Sequence, residues 1–175
     1  QVNIAGFILK KSAMSHNAFS AKILKEIALG EKVASLGVSE KNWNGRLSGL
    51  KSSISFEDGS YILNAEKSFL TNGFHSDYFL LVVKEKTVGD YKVVCIDRLM
   101  KGVEIEKFSL PFAIEATHAR LKCESVKISK EQILPIEYRK YAENLRLSEI
   151  LSLAFLFSGF VNFMLKEIVS QKSKH

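Results

Sequence analysis

Leu63-Asn64-Ala65-Glu66-Lys67-Ser68-Phe69-Leu70-Thr71-Asn72-Gly73 is the stretch from which the rest of the chain is read. It is a strand-like run that ends in an aromatic ring, a hydroxyl and a turn. Phe69 and Thr71 are two positions apart, so on a strand they face the same way. Asn72-Gly73 directly behind them is a turn signal, and spacing alone predicts an ordinary strand entering a hairpin. A flat ring beside a hydroxyl at a strand end is also a seat for a planar, hydrogen-bonding ligand.

Working outward, the texture is that of many short strands. Upstream, Ser52–Phe56 alternates, meets the turn Glu57-Asp58-Gly59-Ser60, and pairs with Tyr61–Glu66 as a hairpin. Farther back, Val33–Val38 is a short apolar strand, and residues 41–49 form a loop rich in turn formers. Downstream, Tyr78–Val83 is apolar throughout and predicts a strand buried on both faces, with Tyr91–Asp97 as its partner. Gly102–Glu106, Ala119–Glu124 and Ser125–Ile128 complete the set. Strands with turns at such spacing predict an antiparallel β-barrel or sandwich.

Helical texture flanks this block. Residues 1–29 read as helix, with Ile23, Leu24, Ile27 and Ala28 on one face and Gly30 as the stop. After Pro135 a long helix is expected, holding the sixteen consecutive uncharged residues Ile150–Leu165. A membrane span needs roughly twenty apolar residues, so a buried or subunit-interface helix is expected instead, and a homo-oligomer with it. The expected class is α+β: a helical segment over 1–30, a β-barrel or sandwich domain over 31–135, and a long apolar helix over 136–175.

A chain of 175 residues with a formal charge of +6 is large enough for a proper core and only mildly basic. No Lys/Arg stripe forms, so nucleic acid is not an expected partner. Cys95 and Cys123 lack CxxC spacing and read as buried free thiols of a reducing, cytoplasmic setting, although a bridge between them stays open. The histidines His16, His75, His118 and His175 are scattered, and His118 reads as a strand start and not a metal ligand.

Several blocks, in order, resemble the acyl-CoA dehydrogenase family. Leu24–Ala34, containing Gly30-Glu31-Lys32, is similar to the family's helix end and "GEK" lead into the β-domain. Leu36-Gly37-Val38-Ser39-Glu40 falls where the family has "(F/Y)xLTE". Asp58–Gly73 is close to "DGYxLNGEKxWITNG", Gly102-Val103 resembles the "PGV" turn, and Thr117–Ile128 resembles "STAELxFDNVRVP". The resemblance implies FAD as cofactor and α,β-desaturation of an acyl thioester, carried on coenzyme A or an acyl carrier protein, with an electron-acceptor flavoprotein as partner. It implies that Val38 and Ser39 meet the flavin ring edge, and that Phe69, Leu70 and Thr71 take the places of the family's "WIT". Ser for Thr keeps the hydroxyl, and Phe for Trp keeps an aromatic face.

Two departures bear on function. The family's "PxAGSD" loop is here Lys41-Asn42-Trp43-Asn44-Gly45-Arg46. Arg46 in place of the acid can hold a phosphate directly, or the changed loop can mark a lost cofactor site. The chain also matches only the end of the family's first helical domain, all of its β-domain and the first helix of its last domain. In one subset of the family the catalytic base sits on that helix, and Glu149 falls on its position; the other expectation for Glu149 is a carboxylate at a helix N-terminus. The alternatives to a dehydrogenase are a non-catalytic subunit that binds an acyl thioester or serves assembly, and a different flavoenzyme, such as a hydroxylase, on the same fold.

Overall fold

The computed structural model describes residues 2–110 and 113–172, so Gln1 and His175 lie outside the described residues. The elements run α1 (Val2–Met14), α2 (Ala18–Ala28), β1 (Ala34–Gly37), β2 (Ser53–Glu57), β3 (Ser60–Leu70), β4 (Tyr78–Glu85), β5 (Tyr91–Asp97), β6 (Val103–Leu110), β7 (Ala113–Ile128), β8 (Ile133–Leu134) and α3 (Tyr138–Lys172). They fall into two compact units, Gln1–Tyr138 and Arg139–His175.

In the first unit, the N-terminal helical stretch is two helices and not one. Asn17 breaks it: its backbone is extended, and its side-chain oxygen accepts from the Ser20 N–H at 2.7 Å, capping α2. Its side-chain amide also donates to the Glu131 carbonyl at 3.0 Å, tying the cap to the segment before β8. A buried Ser12–Ser20 hydroxyl pair at 2.7 Å joins the two helices. The Tyr78 hydroxyl donates to Glu26 at 3.0 Å, fixing α2 to the start of β4.

The eight strands form one mixed sheet in the order β6-β7-β3-β2-β4-β5-β8, with β1 also on β4. The sheet is not closed into a barrel, and two of its pairings are parallel, β1 with β4 and β2 with β4. The cause is the turn after Thr71. Asn72 is left-handed, at φ 60°, but it does not close a hairpin. β3 pairs with β2 and β7, whereas β4 crosses beyond β2, where it can only meet β1 and β2 in parallel. The predicted β2–β3 hairpin and the β4–β5 pair form as antiparallel ladders. Ala119–Ile128 belongs to a single strand, β7, interrupted by a bulge at Ser125 (φ 50°), and His118 lies within the same strand.

The core lies on one face of the sheet. Leu63, Leu70, Phe79, Leu81, Val83, Val94, Ile96, Leu121 and Val126 are all buried there. Tyr78–Val83 is buried at every position, as its unbroken apolar run predicts. Cys95 and Cys123 are free and buried. Burial pushes the Cys123 thiol up to about 12, so it is protonated at neutral pH and unreactive.

The second unit is α3. Its apolar residues lie all round the helix, and Leu151, Phe155, Leu156, Phe160 and Phe163 are exposed. The stretch Tyr138–Ile168 is long and apolar enough to cross a membrane by length and composition, and none of its most apolar window is buried within the chain. The expected burial of this helix is therefore not supplied by the described residues.

Candidate functional site

The site is built at the end of β3. Along this strand Leu63, Ala65 and Lys67 are buried at alternate positions, as the period of a strand requires. Continued alternation would send Phe69 into the core. Instead Lys67 lies opposite Leu121 and Leu70 opposite Ala119, so β3 carries one residue more than β7 between these pairs. This β-bulge flips the facing. Leu70 enters the core fully buried, and Phe69 and Thr71 flank it half-buried.

Phe69 is backed by two rings. Its centroid is 4.5 Å from the His118 ring and 5.7 Å from that of Phe108. His118 and Phe108 are direct cross-strand partners on β7 and β6, stacked at 5.6 Å. The Arg120 guanidinium lies over Phe108 at 5.3 Å and pairs with Glu106 at 3.3 Å. His118 is only 5% exposed, and its Nδ1 is enclosed with no hydrogen-bond partner among the described residues. Gly73 holds the chain tight behind the strand end: a Cβ there would fall 2.7 Å from Leu70 Cβ and 3.0 Å from Ala119 Cβ.

Val38 and Ser39 come to the same place from β1. The Ser39 carbonyl accepts from the Ser68 N–H at 2.9 Å, and the Thr71 carbonyl accepts from the Ser35 hydroxyl at 2.9 Å. Val38 and Ser39 are half-buried. Five of the residues singled out in the sequence (Val38, Ser39, Phe69, Leu70 and Thr71) thus meet around one strand end, with Leu70 offering only its backbone.

Beneath them is an ion pair that sequence reasoning missed. Lys67 is fully buried, and its ammonium donates to Glu40 at 2.8 Å, to the Val82 carbonyl at 2.7 Å and to the Val38 carbonyl at 3.2 Å. Glu40 also accepts from the Lys51 and Ser52 N–H groups at 2.7 and 3.1 Å. Burial pushes the Glu40 carboxyl up, but the hydrogen bonds from Lys67, Ser52 and Lys51 outweigh it and hold it below its ordinary range. Burial pushes the Lys67 ammonium down, and Glu40 offsets part of that. The signal was present in the sequence: Lys67 shares the parity of Leu63 and Ala65.

Arg46 makes none of these contacts, and Glu149 belongs to the second unit. Arg46 is exposed in the loop after Glu40, where the Trp43 indole donates to its carbonyl at 2.7 Å and Asn44 accepts from its N–H at 3.1 Å. Its guanidinium has no ion pair among the described residues and is available to an anion. Glu149 is exposed on α3, in the second unit. It lies roughly three turns past the helix start, so it is not the N-terminal carboxylate that was one of its expected roles. Two clefts, of 420 and 580 Å3, lie elsewhere, the first beginning at Glu40 and the second beside β8. Neither is lined by Phe69 or Thr71.

An open mixed sheet with helices before and after it in the chain, bearing a ring-and-hydroxyl platform at a bulged strand end, defines the fold of this chain. The chain belongs to the acyl-CoA dehydrogenase family: residues 35–126 match the family's model "Acyl-CoA dehydrogenase, middle domain". A short-chain-specific acyl-CoA dehydrogenase of Clostridium acetobutylicum is 28% identical over 120 residues, which cover 66% of this chain and 30% of that protein. Among solved structures, butyryl-CoA dehydrogenase of Megasphaera elsdenii superposes with a TM-score of 0.62 at 24% identity, over 67% of this chain and 32% of that one. An acyl-CoA dehydrogenase of Bacillus anthracis complexed with FAD gives 0.60 at 24% identity, over 66% and 20%. These two likenesses speak for the fold. The chain spans about a third or less of the length of each relative.

Proposed function

We propose that this chain supplies the flavin wall of an acyl-thioester dehydrogenase and takes part in α,β-desaturation. The observation that carries this is the Phe69 ring, turned from the core by a bulge and backed by His118 and Phe108, beside the Val38–Ser39 backbone. These residues fit FAD chemically. Phe69 offers a face to a planar ring. Ser39 offers a hydroxyl that makes no hydrogen bond among the described residues, Thr71 carries a hydroxyl already engaged within the chain that can also accept, and Arg46 offers a cation for a phosphate. Bound FAD supplies the acceptor for the hydride leaving the β-carbon.

The α-proton is too weakly acidic to leave unaided, so the thioester carbonyl must be polarised as the enolate develops. Glu149 is the proposed base. A carboxylate base for this step works best when shielded from water, and Glu149 is exposed. Further helices must therefore cover it, and α3 presents the apolar surface to receive them. We infer that this cover comes from assembly of copies in a cytoplasmic oligomer, with a separate flavoprotein taking the electrons.

The test is spectroscopic. Protein loaded with FAD is mixed with acyl-CoA thioesters under anaerobic conditions, and bleaching of the flavin band is followed. The expected outcome is bleaching by the native chain and retained flavin without bleaching in Glu149→Gln. Equal bleaching by Glu149→Gln removes it from the mechanism. A second reading, a non-catalytic thioester-binding relative, is favoured by the exposure of Glu149, and holds if acyl-CoA binds without bleaching.

A further inference from the structure

The buried lysine explains an irregularity of the sheet. One edge of β4 is shared: β1 covers Tyr78–Leu81, and β2 pairs at Lys84 and Glu85. Between them Val82 and Val83 have no strand partner on that side among the described residues. An unpaired carbonyl buried there would cost about 1–3 kcal/mol. Lys67 reaches across from β3 and donates to the Val82 carbonyl. The same ammonium donates to the Val38 carbonyl, one residue past the end of β1, and so caps the departing strand as well. Gly37 makes room for this: a Cβ there would lie 3.1 Å from Lys67 Cγ and 2.9 Å from Leu81 Cδ2. Glu40 neutralises the charge and passes the constraint on to Lys51 and Ser52, just before β2.

We propose that Lys67 is a positioning residue, whose ammonium fixes the Val38–Ser39 backbone against the Phe69 strand end and so sets the geometry of the flavin wall. One residue, Ser68, separates Lys67 from Phe69 along β3, and its N–H binds the Ser39 carbonyl. One buried group thus holds both sides of the platform in register. This rests on the flavin-wall reading above.

The test uses the full chain with FAD as the probe. Removing Lys67 alone strands the Glu40 charge, so the variant of choice is Lys67→Met/Glu40→Gln, which removes both charges together. Val94→Ala, a core truncation on β5, is the control for stability loss alone. The double variant is expected to fold, to bind FAD roughly tenfold more weakly than the native chain, and to shift the bound flavin's absorption band. Val94→Ala is expected to leave the FAD affinity within about twofold. Native FAD affinity in the double variant, or an equal loss in Val94→Ala, overturns the proposal. Should the double variant not fold, Gly37→Ala, which crowds the lysine stem and keeps both charges, is read by the same criteria.

Hydrogen exchange at the Ser68 amide separates this proposal from the flavin reading itself. Exchange there should quicken in the Lys67 variant while the Leu81 amide stays protected, whether or not FAD is present. Unchanged Ser68 protection overturns the role of Lys67. Failure of the native chain to take up FAD, with Ser68 exchange still quickened by the variant, overturns the flavin reading and leaves Lys67 as an anchor of the strand end alone.

Discussion

At the residue scale, the platform depends on side chains whose positions are fixed by their neighbours. Phe69 is held by a tilted contact with His118 and an edge-on contact with Phe108, and such aromatic contacts contribute about 0.5–1.5 kcal/mol each beyond area burial. Glu40 holds the backbone just before β2, and Asp77 holds that just before β1. Asp77 accepts from the Val33 N–H at 2.9 Å and from Lys32 at 3.0 Å, which outweighs its partial burial and keeps its carboxyl below the ordinary 3.8. Glu40 is likewise held below 4.5. In the window just below those ordinary values the unfolded chain binds more protons than the native one, so stability rises with pH there. The stabilisation is present above the unfolded values and is lost as pH falls through the lower native ones. The urea midpoint should therefore drop between pH 6 and pH 3, and Glu40→Gln should flatten part of that drop. A midpoint independent of pH over that range contradicts the role given to both carboxylates.

At the element scale, the bulge in β3 and the shared edge of β4 do the arranging. The bulge turns Phe69 away from the core and sends Leu70 into it, so one strand end serves both packing and the platform. The shared edge creates the gap that Lys67 fills. Helix α3 poses a different problem. A helix apolar all round has no stable place in water on its own, and Phe155 is 76% exposed. Light scattering on the purified chain should give the mass of a dimer or larger assembly, and Phe155→Glu/Phe163→Glu should lower it. A monomeric native chain, or one that partitions into lipid vesicles instead, contradicts assembly through this helix.

At the scale of the whole molecule, much was legible and some was not. The strand end at Phe69–Thr71, the doubly buried β4 and the long C-terminal helix follow from period and composition, because each is a local pattern. The open, mixed sheet was not legible, because Asn72-Gly73 is equally good chemistry for a hairpin and for a crossover. Only the long-range pairing of β3 with β7 decides between them. The break between α1 and α2 was legible in principle at Asn17, a standard helix cap. Lys67 was overlooked because a lysine is rarely buried, although its parity with Leu63 and Ala65 pointed inward. The proposed phosphate role of Arg46 and the proposed base role of Glu149 rest on chemistry beyond one strand end, which no local sequence pattern encodes.

The central claim is that Phe69 and its neighbours form a flavin wall. It is tested most directly by titrating FAD into the purified chain and into Phe69→Ala while following flavin fluorescence. Saturable binding by the native chain, weakened roughly tenfold in a Phe69→Ala variant that still folds, is the predicted result. No uptake of FAD by a folded native chain, or equal affinity in the two proteins, would contradict it.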